Sequence, residues 1–174
     1  MSRQNMTGIL TENWVKEEIK RMGLEATKPI PDRGVDLIVT SIQKPNIVLK
    51  IQVKGRGKVQ KNKKFRWFQI RTTMKQREET LIDSLPVSEA WRKKLKQVDL
   101  FIFVSEKENE FWIFEPKDIE KLILINRSKY GKRKDNLDGL QAEIDLDIEY
   151  EGMRLTEKFK ENLNRWDLIT NHFI

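Results

Sequence analysis

Cysteine is absent and histidine occurs once. The first absence excludes disulfides, zinc–thiolate centres and thiol nucleophiles. The second means that any histidine-ligated metal or histidine general base would rest on His172 alone, close to the C-terminus, where it reads as structural. No apolar run approaches the roughly 20 residues needed to cross a bilayer. The opening Met1–Thr7 is polar and is not followed by the apolar segment of a signal peptide, so the chain is expected to be soluble and cytoplasmic. Internal repeats and low-complexity linkers are also missing. One further absence is local: no acidic residue stands between Asp36 and Glu78, an interval crowded with lysine and arginine.

What remains is a basic chain of 174 residues with a formal net charge of +7. The length suits a single domain from Met1 to Ile174 with an ample core. A basic balance argues for nucleic acid or another anionic surface as partner. The charge is uneven, because the acids gather late, at Glu106 to Glu120 and Glu143 to Glu151.

Periodicity predicts the order of elements. Thr11 to Met22 reads as a helix capped by Thr11, with Trp14, Val15, Ile19 and Met22 as its apolar stripe and Gly23 as its C-cap. Strands follow at Val35–Thr40 and Ile47–Lys54, with a third at Phe65–Thr73. A helical stretch from Met74 to Lys96 is interrupted near Pro86. Val98–Val104 and Glu110–Phe114 read as strands, and Pro116 starts a helix that runs to about Ile125. Ser128–Asp138 is expected to be a basic loop, Gln141–Tyr150 a strand and Thr156–Leu168 a helix. The prediction is an α/β fold, a mixed sheet flanked by helices: helix, three strands, helix, two strands, helix, then a strand-helix tail.

The chemistry concentrates where the first two long strands meet. Asp36 opens one strand, and Gln52 and Lys54 close the other. Alternate strand residues share a face, so Gln52 and Lys54 point one way while Ile51 and Val53 point the other. If the strands pair, a carboxylate, an amide oxygen and an ammonium converge. Such a cluster suits a hard divalent cation held beside a phosphate. Asp36 competes with Asp32, which sits before Gly34 in a turn where aspartate is common for local hydrogen bonding. Asp36 is preferred because it is flush with its strand. The plainer alternative is a solvated sheet face with a strand-opening aspartate.

Gly8 and Glu12 on the first helix, Gly34-Val-Asp36-Leu-Ile, and Gln52-Val-Lys54 together resemble the PD-(D/E)xK nuclease superfamily. The likeness is strongest to restriction endonuclease-like proteins and archaeal Holliday-junction resolvases. It covers about Gly8 to Val104 within a core reaching Ile125, and leaves an extension from Asn126 to Ile174. The resemblance implies a restriction endonuclease-like sheet and hydrolysis of DNA phosphodiester bonds with Mg²⁺ or Mn²⁺. It implies Asp36 as metal ligand, Gln52 at the position usually acidic, Lys54 as the motif lysine and Glu12 as the additional helix carboxylate. The backbone carbonyl of Val53, between the motif side chains, is a further candidate ligand. Gln52 removes one negative charge from the site, which makes Glu12 more important. Glu17 and Glu18 share that helix, and glutamate also favours a first turn for electrostatic reasons.

Arg33, Arg56, Lys58, Lys61, Lys63, Lys64, Arg66 and Trp67 are the expected nucleic-acid contacts, since clustered cations gain from counterion release at phosphates. Of Phe65, Trp67 and Phe68, at least two are expected in the core. Glu143, Asp145, Asp147 and Glu149 alternate with apolar residues and read as the charged face of an edge strand. Trp112 and Trp166 read as packing residues. The expected function is a Mg²⁺-dependent endodeoxyribonuclease acting on double-stranded DNA as a homodimer, most like a small type II restriction enzyme. A junction-specific nuclease and an inactive DNA-binding protein on the same fold are the alternatives.

Overall fold

The computed structural model describes residues 3–30, 34–56, 66–71, 89–105, 109–130 and 141–174. Helix α1 (Arg3–Arg21) leads into strands β1 (Glu25–Thr27), β2 (Leu37–Thr40), β3 (Val48–Arg56) and β4 (Trp67–Arg71). Helix α2 (Glu89–Leu95), strands β5 (Leu100–Ser105) and β6 (Glu110–Phe114), and helix α3 (Pro116–Tyr130) follow. The chain closes with β7 (Gln141–Asp145), the small hairpin β8 (Glu149–Tyr150) and β9 (Met153–Arg154), and short helices α4 (Leu155–Lys158) and α5 (Asp167–Thr170), each followed by a 3₁₀ turn.

The central sheet has the order β1-β2-β3-β5-β6. Only β3 and β5 run parallel, in the register Ile51↔Leu100, Gln52↔Phe101 and Lys54↔Phe103. This is the mixed α/β sheet flanked by helices that the element order predicted. All six residues of β5 are buried, as expected for a central strand covered on both faces.

Strand alternation sorts the core into two layers. Leu37, Val39, Leu49, Ile51, Val53, Leu100, Ile102 and Val104 meet Val15 and Ile19 of α1, with Ile169 and Phe173 closing the layer. Phe101, Phe103, Trp112 and Phe114 point the other way, onto Phe68, Ile70, Leu122 and Ile144. One face is aliphatic and helix-covered; the other is aromatic. Phe68 and Phe103 stack with centroids 4.6 Å apart, and Phe114 lies 5.5 Å from Phe103.

Gly23 ends α1 as expected. Its φ of +77° lets Leu24 N–H reach Ile19 O and Gly23 N–H reach Lys20 O, the paired bonds of a left-handed helix stop. Thr11 is not the N-cap, because α1 starts at Arg3 and Thr11 Oγ1 instead donates back to Gly8 O at 3.0 Å. The short strand β1 was not anticipated, and α3 runs through Ser128 to Tyr130, where a loop was expected.

Three other expectations change. Strand β4 does not extend the central sheet. It pairs antiparallel with β7, distant in sequence, to form a separate ribbon, held down by the Phe68–Phe103 stack. The alternating run from Gln141 to Tyr150 is no continuous edge strand either. Asp145 is buried, and its Oδ1 accepts the N–H of Asp147 at 3.0 Å, turning the chain. Asn126 Oδ1 accepts the Asp145 N–H at 2.9 Å and fixes that turn to α3. The expected tail helix is broken between α4 and α5. There Asn162 donates to Ile113 O, Asn164 N–H donates to Phe111 O, and Leu163 bridges Trp112. Satisfying buried backbone groups of β6 outweighs continuing a helix. Trp112 is buried as expected, and Trp166 packs at 5.1 Å against Phe111.

Candidate active site

Strands β2 and β3 pair antiparallel with Leu37 opposite Ile51. Asp36 extends that ladder by one residue, donating its N–H to Ile51 O at 2.9 Å. Its carboxylate then turns onto β3, where Oδ2 accepts the Val53 N–H at 2.7 Å. Asp36 therefore stands level with Gln52 and is 8% exposed. A residue's N–H and C=O point to the same strand edge. The Val53 carbonyl accordingly faces the β2 edge too, just past the end of β2.

Gln52 is 5% exposed. Its Oε1 is buried and, among the described residues, accepts no hydrogen bond. Such an orphan acceptor costs about 1–3 kcal/mol when nothing replaces water. Lys54 lies two residues on along the same face, half-buried and level with Phe103. The structure thus brings Asp36, Gln52, Val53 and Lys54 to one end of the sheet. It does so because β2 begins where β3 ends, a consequence of the antiparallel register.

Glu12 reaches the same end from the other face. A Cβ on Gly55 would lie 2.3 Å from Thr11 Cγ2, so glycine at this position is what lets α1 press against β3. The Glu12 carboxylate pairs with Lys28 Nζ at 3.0 Å. Lys28 follows the Thr27↔Ile38 pair and is therefore level with Leu37, one residue from Asp36.

The expected DNA contacts divide. Arg33, Lys58, Lys61, Lys63 and Lys64 lie outside the described residues, as do Asp32 and Phe65, and of Arg56 only the backbone, opposite Ser105, is described. Arg66 is engaged by protein carboxylates. Its Nε and NH2 bond the two oxygens of Glu110 at 2.7 and 2.8 Å, and its NH1 bonds Asp147 at 2.9 Å. Trp112 Nε1 donates to Glu110 Oε2 at 2.9 Å. The hydrogen bonds that Arg66 donates, to Glu110 first and to Asp147, outweigh burial and hold its guanidinium well above its ordinary value. Burial pushes the Glu110 carboxyl up, but the hydrogen bonds from Arg66 and Trp112 outweigh it and leave the group below its ordinary value. Trp67 is half-buried, opposite Asp145 in the ribbon. Phe68 stacks beneath it on Phe103, so the ribbon begins beside Lys54.

Among the described residues, no group of three or more His, Cys, Asp or Glu side chains gathers in a way that would hold a metal ion. The acceptors at the Asp36 end are mixed: one carboxylate, one amide oxygen and a backbone carbonyl. That set suits a hard cation that retains several waters, as Mg²⁺ does, and the orphan Gln52 Oε1 is an acceptor such an ion would satisfy. Sequence reasoning missed Lys94, a buried lysine on α2 whose Nζ is against Gly34. Nothing in the Arg92-Lys93-Lys94 run marks one cation as inward-facing.

No protein-family model matches the sequence, and no curated protein matches it. Among solved structures, the chain is similar to the bacterial homing endonuclease I-Ssp6803I, with a TM-score of 0.54 at 17% identity, over 98% of this chain and 94% of that one. The likeness extends across the whole mixed sheet and its tail, and it is a likeness of fold.

Proposed function

We propose that this chain is a divalent-metal-dependent endodeoxyribonuclease. The observation that carries the reading is the buried, partnerless Oε1 of Gln52 beside the Asp36 carboxylate, with Lys54 on the same face. The fold likeness to a homing endonuclease and the net charge of +7 support DNA as the substrate.

Asp36 and Gln52 would hold the ion, with the Val53 carbonyl as a third protein oxygen. Bound Mg²⁺ or Mn²⁺ supplies neutralisation of phosphorane charge and a water of lowered pKa. The Val53 N–H fixes one Asp36 oxygen and so sets the orientation of the carboxylate in advance. Lys54 offsets charge on the scissile phosphate and orients the attacking water. The aromatic layer under Gln52 and Lys54 lowers the local polarity, which strengthens each of these interactions. Glu12 acts from the far side, its carboxylate steered by Lys28. We place the basic segment from Arg56 to Lys64 on the DNA backbone, along with Arg33, and leave Arg66 out because its guanidinium is already taken up by Glu110 and Asp147. Double-stranded DNA cut by a homodimer, in the manner of a small type II restriction enzyme, is the form we favour, since two-fold sites match two-fold proteins.

The test is cleavage of supercoiled plasmid with Mg²⁺, Mn²⁺ or EDTA, with Asp36→Ala and Lys54→Ala alongside. Metal-dependent nicking or discrete fragments, lost in both variants, is the expected result. Salt-sensitive binding without cleavage under any metal would overturn the nuclease and leave a DNA-binding protein on a nuclease fold.

A further inference from the structure

We propose that Lys94 is a positioning residue for Asp36, an assignment that rests on the metal-dependent reading above. Helix α2 carries three consecutive cations, Arg92, Lys93 and Lys94. Arg92 and Lys93 are exposed, whereas Lys94 is 4% exposed. Its neighbour Leu95 anchors the helix in the aromatic core, which puts α2 on the sheet face that carries Gln52 and Lys54. Removing an ammonium from water is costly, so a buried lysine is kept only where its surroundings compensate it. Lys94 is kept at this depth against the turn that precedes Asp36.

The geometry says what. Lys94 Nζ lies 2.5 Å from where a Cβ on Gly34 would stand, and Gln97 Oε1 lies 3.4 Å from the same point. The Gln97 oxygen is itself buried and without a hydrogen-bond partner. Gly34 has a φ of +87°, a conformation that side chains resist, and Asp36 follows two residues later. The turn that launches Asp36 into the β2–β3 ladder thus lies against two polar groups, Lys94 on α2 and Gln97 just past its end. It uses the left-handed conformation that glycine adopts without strain. Lys94 fills the space beneath Gly34 and fixes the path of the chain into Asp36. Support behind a ligand of this kind is typically worth about 10- to 100-fold in metal affinity.

The experiment is calorimetric titration of Mn²⁺ into wild type, Lys94→Met and Gly34→Ala, with a thermal melt of each. Wild type is expected to bind Mn²⁺. Lys94→Met is expected still to melt cooperatively and to bind Mn²⁺ at least about tenfold more weakly. A Lys94→Met protein that binds Mn²⁺ as tightly as wild type, or more tightly as relief of cation–cation repulsion would give, overturns the proposal. A lowered melting temperature with unchanged Mn²⁺ affinity, the signature of a merely structural lysine, overturns it as well. Should Lys94→Met show no cooperative melt, Gly34→Ala carries the test from the loop side. Its added methyl meets Lys94 Nζ, and the same loss of Mn²⁺ affinity is expected, with wild-type affinity overturning the proposal. A wild-type protein that neither binds Mn²⁺ nor cleaves plasmid overturns the parent reading, a failure distinct from the others.

Discussion

Two polar clusters lie on the aromatic side of the sheet, and they are built on opposite terms. Around Arg66, charge is met by charge: both Glu110 oxygens and one Asp147 oxygen accept its hydrogen bonds, and Trp112 adds another to Glu110. Around Asp36, one oxygen is bound by the Val53 N–H, while the neighbouring Gln52 Oε1 is buried with no partner. The first arrangement ties β4, β6 and the β7–β8 turn together, with the Arg66 guanidinium met by two carboxylates. The second leaves an acceptor in want of a donor or a cation. The first is a staple of the fold, and the second is where the proposed ion would sit.

Substitutions in the two clusters should differ in kind. At the incomplete cluster, Asp36→Ala or Lys54→Ala should lower metal-dependent plasmid cleavage by about 10²–10³-fold or more, with salt-dependent DNA binding retained in gel-shift titrations. In the packed layer between the clusters, Phe103→Ala should cost about 3–5 kcal/mol in urea unfolding, because it removes the ring that stacks on Phe68 and touches Phe114. Equal losses of stability from Asp36→Ala and Phe103→Ala would make Asp36 a structural residue like Phe103.

At the saturated cluster, Glu110→Gln should cost about 1–3 kcal/mol at neutral pH, the typical effect of unpairing a part-buried group. Glu110 sits below its ordinary value of 4.5 when folded. Its contribution is therefore fully present above that value and is lost as pH falls through the lower, folded one. The substitution should flatten the acid limb of a stability–pH curve measured by denaturant unfolding below pH about 4.5. Smallest is the effect of Gln52→Glu. Restoring a second carboxylate should raise Mg²⁺ affinity by about tenfold, as added ligand charge does at such sites. It should also lower the melting temperature of the metal-free protein and make that temperature rise steeply with Mg²⁺. A metal-independent melt in this variant would count against an ion site at Asp36.

Much of this was legible in the residues. The apolar runs of β5 and β6, the helical stripe of α1, the Gly23 stop and the shared face of Gln52 and Lys54 all follow from local spacing. What spacing could not show were partners brought in from afar. The pairing of β4 with β7 joins Trp67 to Asp145 across the chain, and nothing within either segment names the other. Arg66 lies at the edge of a basic run and reads as a phosphate contact until folding delivers Glu110 and Asp147. Asp145 and Asp147 look like the solvated face of a strand until burial turns one of them into a hydrogen-bond acceptor for the other. Lys94 is one cation of three until α2 docks.

By itself, then, the sequence determined which segments become strands and helices, which residues alternate onto which face, and that a carboxylate, an amide and an ammonium could meet. These depend on backbone periods of 2.0 and 3.6 residues, which act over a few positions. The tertiary structure alone decided which charges are saturated by other charges and which acceptor is left waiting. Those outcomes depend on burial and on distances of a few ångströms between residues far apart in the chain, and only packing sets them.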